Sequence, residues 1–141
     1  MRLLEGVKEI RGSDMHGTKY PCKDITEEII GCAIEVHRQL KAGYVESIYE
    51  NAMVRELSKR GLTFERQKTF PVYYDGINVG EHRADLVIEG SVIVELKAVS
   101  EMTDQHVCQI MSTMKAAQVR VGLLLNFHEA RLVDGVRRIV M

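Results

Sequence analysis

The sequence predicts one mixed α/β domain, and three observations carry that prediction. Two stretches of helical period come first, separated by Lys41-Ala42-Gly43. Next comes an alternating stretch with two turn signals, Asp75-Gly76 and Glu89-Gly90-Ser91, which reads as a three-stranded antiparallel meander. A helical stretch and a buried apolar run then follow, so the last run lies parallel to the strand before the helix, through a right-handed connection.

At 141 residues the chain suits one domain with a real core. Residues 1–22 lack a clear period and hold Gly6, Gly12 and Gly17, which predicts a mobile arm with room for one short element at Leu3 to Ile10. Met15 stands as an alternative to Met1 as the translation start. The domain proper is expected over 23–141.

Asp24 and Glu27 form a capping-box pattern ahead of a helix over 25–40. Ile25, Ile29, Cys32, Val36 and Leu40 make its apolar stripe, with His37 beside it as a helix-surface or core-edge residue. The second helix turns Val45, Ile48, Tyr49, Ala52, Met53 and Leu57 inward and ends at Gly61. Glu46 falls in its first turn, with Tyr49 and Glu50 further along.

Thr63 to Tyr74 alternates and is rich in β-formers, and Pro71 suggests an edge position or a bulge. Its aromatics read as core or sheet face rather than as a base-stacking platform. After the meander, Thr103 or Ser100 caps a helix over 104–117, with Val107, Ile110, Met111 and Met114 as the buried stripe. His106, Gln109 and Thr113 share a second stripe of that helix. Val119 to Phe127 reads as a buried strand. Ala130 to Met141 supplies a last strand, turning at Asp134-Gly135.

The stretch from His82 to Ala98 is the most informative. Ala84, Leu86 and Ile88 share one face of their strand, and Val92, Val94, Leu96 and Ala98 share one face of the next. A slip of one residue would turn one apolar set to water, so the two sets should pair. That register sets Ile88 opposite Val92, Leu86 opposite Val94 and Ala84 opposite Leu96. It also sets Asp85 opposite Glu95 and Arg83 opposite Lys97. Two acids directly across a strand pair repel. A divalent cation between them reverses the sign, because oxygen ligands suit magnesium or manganese. The other reading is a solvated charge face, with Asp85 paired diagonally to Lys97 and Glu95 to Arg83.

Composition narrows the function. A net charge of −1 gives no overall basic field, which argues against avid nonspecific nucleic-acid binding but allows a local site. Cys22, Cys32 and Cys108 have neither a disulfide-framework count nor zinc-site spacing, so reduced thiols in the cytoplasm are expected. No run is long enough to span a membrane, and the N-terminus lacks a signal-peptide core.

With Asp85 and Glu95-Leu96-Lys97 placed in this element order, the chain resembles the PD-(D/E)xK nuclease superfamily. More narrowly, it resembles the GxxExxxY protein family. The carrying stretches are Gly43 to Glu50, Arg83 to Leu86, Val94 to Ala98, His106 to Gln109, Leu123 to Phe127 and Asp134 to Arg138. Ala84 stands where the superfamily often has proline, and Thr113 stands where related nucleases complete a Gln-x-x-x-Tyr pattern from Gln109.

The resemblance implies a restriction-endonuclease-like core: helix, three-stranded antiparallel meander, helix and parallel strand, with an extra N-terminal helix. It implies metal-dependent hydrolysis of phosphodiester bonds. Asp85, Glu95 and the Leu96 carbonyl would hold Mg2+ or Mn2+. Lys97 would orient or help deprotonate the attacking water, or steady developing charge. Glu46 would bind a second ion or a water, and Gln109 would position water or phosphate. His82, Arg83 and His106 would contact substrate, although Arg83 serves equally to balance the acids. The implied partner is nucleic acid, DNA ahead of RNA, in repair or defence, with a homodimer among the expectations. The alternative is a non-catalytic module that binds nucleic acid or protein through the same face.

Overall fold

The computed structural model describes residues 5–12 and 21–141. Met15 lies outside the described residues, as does part of the expected arm. Strands run at Lys8–Arg11 (β1), Phe64–Tyr74 (β2), Ile77–Ile88 (β3), Val92–Lys97 (β4), Val121–Asn126 (β5) and Val136–Val140 (β6). Helices run at Lys23–Leu40 (α1), Glu46–Lys59 (α2) and Asp104–Ala117 (α3), with a 3-10 turn at Leu132–Gly135. The strands form one mixed sheet in the order β1-β6-β5-β4-β3-β2. β2, β3 and β4 are the antiparallel meander, and β5 lies parallel to β4 across α3. This is the restriction-endonuclease-like arrangement with a leading helix.

α1 and α2 cover one face of the sheet. Ile29, Cys32 and Val36 from α1 and Tyr49, Met53 and Leu57 from α2 pack on Leu86, Ile88, Val94 and Leu125. α3 covers the other face, where Ile110 and Met114 pack on Ala84, Val87, Ile93 and Leu124. Central strands clad on both sides read as apolar runs without alternation. Gly122 on β5 lets α3 approach, since a Cβ there would lie 2.6 Å from the Met114 sulfur.

Several local expectations need correction. The Asp24–Glu27 capping box does not form, because α1 begins at Lys23 after a left-handed Cys22, which leaves Asp24 inside the first turn. There its charge complements the helix dipole instead. Val45 and Ile48 point outward, at 64% and 39% exposure. Val45 precedes α2 as its N-cap, and the buried positions Tyr49, Met53 and Leu57 recur every fourth residue on another stripe. Tyr73 and Tyr74 are 62% and 74% exposed, so they are not core. With Ile77 and Val79 they form an apolar tip on the β2–β3 ribbon.

Part of the arm expected to be mobile is built into the sheet. β1 pairs in parallel with β6. Arg138 on β6 is only 3% exposed and donates to Glu9 at 3.2 Å and to the Pro21 carbonyl at 2.5 Å. A buried guanidinium needs such partners, and both come from the N-terminal stretch. Among the described residues, no helix is long and apolar enough to cross a membrane.

The end of the sheet nearest the cleft is braced. Tyr49 stacks on Phe127 at 4.4 Å, and its hydroxyl donates to the Lys41 carbonyl at 2.5 Å, which closes the α1–α2 turn. The Phe127 amide donates to the Lys97 carbonyl at 2.8 Å, and the buried Asn126 side chain bonds both the amide and the carbonyl of Val99. These bonds fix the chain at Lys97 and just after it.

Candidate active site

β3 and β4 pair as the register argument requires, with Leu86 opposite Val94, Val87 opposite Ile93 and Ile88 opposite Val92. The ladder stops there. The pairs expected next, Asp85 with Glu95 and Ala84 with Leu96, are not ladder pairs. Instead the Leu96 amide donates to Asp85 Oδ2 at 2.9 Å. A side chain takes the place of the strand partner, so no backbone donor is stranded. The alternation breaks at the same point: Ala84 packs on the α3 face and Leu86 on the α1/α2 face, although both are even-numbered. Neither diagonal ion pair, Asp85–Lys97 or Glu95–Arg83, forms among the described residues.

Gln67 on β2 stands opposite this break. Arg66 pairs with Leu86 and Lys68 with Ala84, but Gln67 itself takes φ 49, the left-handed region. For a non-glycine residue that costs about 1–3 kcal/mol. Its side-chain amide donates to Glu50 Oε1 at 2.5 Å and to Asp85 Oδ1 at 3.3 Å. Glu50 is 8% exposed, and its other oxygen accepts from Arg66 at 2.8 and 3.2 Å. The acid that α2 sends towards Asp85 is therefore Glu50. Glu46, expected in that place, is exposed and forms no ion pair among the described residues. The helix reaches the site one turn later than the first-turn position suggested.

Glu95 is the most strained group electrostatically. Burial first, and the adjacent Asp85 carboxylate second, push its pKa up to about 8, while Lys97 pulls the other way. Its Oε1 is buried with no hydrogen-bond partner. An unsatisfied buried acceptor costs about 1–3 kcal/mol and calls for an explanation. In the metal-free protein a proton held on Glu95 and bonded towards Asp85 meets part of that need, and a divalent cation would meet it by pairing Oε1 and offsetting the repulsion between the two acids. The Asp85 and Glu95 carboxylates are oxygen donors, the ligand type that suits magnesium or manganese. No group of three or more His, Cys, Asp or Glu side chains gathers among the described residues. Such a cation would therefore complete its shell with water and substrate oxygens, as magnesium commonly does.

A cleft of about 230 Å3 opens beside Glu95. It brings together Glu95 and Lys97 from β4, His82 and Arg83 from β3, and His106, Gln109 and Thr113 from α3. Asp85 and Glu46 are not in its lining. The α3 stripe faces the cleft as a unit. The Thr113 hydroxyl donates to the Gln109 carbonyl at 3.1 Å and lies 2.8 Å from His82 Nδ1. With its proton spent on Gln109, the hydroxyl accepts from His82, so neutral His82 carries its proton on Nδ1. His106 is the opposite case: its Nδ1 accepts from the Thr103 amide at 3.0 Å, which puts the proton of neutral His106 on Nε2. The cleft thus receives one imidazole acceptor and one imidazole donor.

Gln67 escaped the sequence reading because nothing in Phe64–Tyr74 marks a left-handed residue inside a strand. Glu50 had one signal: it lies four residues after Glu46, hence on the same helical face.

A family model described as the PD-(D/E)XK nuclease superfamily matches residues 23–139. No curated protein matches the chain, and no solved structure matches it.

Proposed function

This chain belongs to the PD-(D/E)XK nuclease superfamily, and on that premise we propose that it hydrolyses phosphodiester bonds of DNA, with RNA as the less favoured substrate, using magnesium or manganese. The carrying observation is the buried, unpartnered Oε1 of Glu95 beside Asp85. Asp85, Glu95 and the Leu96 carbonyl hold the cation. Bound there, it lowers the pKa of water and clamps the phosphate for in-line attack. Lys97 orients the attacking water or steadies the charge that develops on the phosphate. Glu50 takes the supporting part expected of Glu46. Gln109 positions water or phosphate. His106 donates to a phosphate oxygen from Nε2. Arg83 contacts the substrate backbone from β3, and His82 beside it offers substrate an acceptor at Nε2. The domain is residues 23–141, working in the cytoplasm in repair or defence. With a net charge of −1 the protein gains grip from local contacts, or from a second copy, rather than from an overall field.

Manganese binding by calorimetry tests this, on the wild type and on Asp85→Ala/Glu95→Ala. Binding that disappears in the double variant supports the site and directs the search to cleavage of DNA duplexes. No binding by the wild type, alone or with a short duplex present, would replace the nuclease reading with a non-catalytic binding module.

A further inference from the structure

We propose that Gln67 is a positioning residue, whose side-chain amide holds Asp85 and Glu50 as a preformed pair of carboxylates and whose left-handed backbone aims that amide. This deepens the metal-site reading above and rests on it.

The flanking residues keep register, Arg66 with Leu86 and Lys68 with Ala84. No residue is inserted at this point, so nothing in the pairing count forces a kink. The chain inverts at Gln67 all the same, with φ 49. The inversion coincides with a specific contact. One amide nitrogen reaches Glu50 Oε1 at 2.5 Å and Asp85 Oδ1 at 3.3 Å. An NH2 group has two hydrogens, so both bonds form together. Two carboxylate oxygens bound to one nitrogen lie within about 6 Å of each other. Left alone, they would repel and drift apart.

Each acid is then fixed through both oxygens. Asp85 has the Leu96 amide on Oδ2 and Gln67 on Oδ1. Glu50 has Arg66 on Oε2 and Gln67 on Oε1. The residue type matters as much as the contact. A lysine at this position would orient the acids but neutralise them and compete with a cation. A glutamine orients them without adding a second cation to the Arg66 already on Glu50, and leaves the Asp85 charge for the metal.

Two variants separate this role from a structural one. Gln67→Gly removes the amide and adopts a left-handed backbone without strain. Gln67→Asn tolerates that backbone but draws the amide back by one methylene. Both are expected to melt within about 4 °C of the wild type, yet to bind Mn2+ at least tenfold more weakly by calorimetry. A purely structural residue would do the reverse, lowering Tm and leaving affinity intact. Wild-type affinity in both variants would overturn the assignment of Gln67 while leaving the metal site standing. Loss of affinity only in step with a collapse of Tm in both variants would overturn it too. A wild type that binds no Mn2+ would overturn the site itself, and this inference with it.

Discussion

The two ends of the β3–β4 pair obey different rules. At Leu86–Ile88 against Val92–Val94 the strands pair by backbone, and every side chain is buried and apolar. One step away, at Asp85 against Glu95-Leu96, the strand partner is a carboxylate, a neighbouring acid is held above its usual pKa, and an oxygen lacks a partner. The closed end makes the open end possible. A ladder clad by helices on both faces holds the two acids together where their charges would separate them. Stability and chemistry are thus kept in adjacent residues of one hairpin, and they should fail separately when mutated.

The largest effect should come from Asp85→Ala, which removes a proposed metal ligand and the acceptor for the Leu96 amide. Cleavage should fall to background in a DNA-nicking assay, with a stability loss of only about 1–3 kcal/mol in urea unfolding. Cleavage that survives in this variant would break the comparison outright. Lys97→Ala should slow single-turnover cleavage by about 10²–10⁴-fold, with Mn2+ affinity within about threefold of the wild type. A matching loss of affinity would move Lys97 from the chemistry to the metal.

At the closed end, Leu86→Ala should cost about 2–5 kcal/mol of unfolding free energy and leave Mn2+ affinity nearly unchanged at a temperature where the variant is folded. Loss of metal binding there would mean that the two ends are not separable.

The pH dependence sharpens the same contrast. Glu95 ionises near 4.5 in the unfolded chain and about 8 in the folded one. Folding then retains a proton that the unfolded chain releases, so the metal-free protein should lose stability as pH rises from about 4.5 to about 8. The slope should show as a fall in Tm of roughly 5 °C or more, disappear in Glu95→Gln, and shrink when Mn2+ is present. The smallest effect is expected from Glu46→Ala, whose cleavage rate should stay within about threefold of the wild type, against at least a tenfold loss for Glu50→Ala.

The fold was legible because its signals are local and repeated. Ile88 and Val92 flank a three-residue turn that fixes register, and Val121 to Leu125 carries no polar side chain because helices cover both of its faces. Pro71 pointed to an edge, and β2 is the edge. The same register brought Asp85, Glu95 and Lys97 to one end of the hairpin, although the ladder stops before the Asp85–Glu95 pair it required. What stayed hidden needed distances across the fold. The choice between Glu46 and Glu50 depends on how far α2 slides along the sheet, which periodicity does not encode. The inversion at Gln67 is a backbone state that glutamine does not advertise. Tyr73 and Tyr74 could be read only as core or sheet face, and they are exposed on the strand, because alternation says which residues share a face but not whether anything covers it. β1 overlaps the short element allowed at Leu3 to Ile10, but its place in the sheet was not readable, because a four-residue edge strand anchored by Arg138 leaves almost no pattern.

β3 runs on well past β4. A strand rises about 3.3 Å per residue, so the stretch from Ile77 to Asp85 carries the apolar tip at most about 26 Å from the acids. Measured along a duplex at about 3.4 Å per base pair, that is roughly eight base pairs. On the proposed DNA-cleaving reading, this reach predicts a dependence of binding on duplex length. Substrates too short to lie beneath Tyr73 and Tyr74 would engage the acids alone, and the length at which binding tightens would report whether the tip touches them.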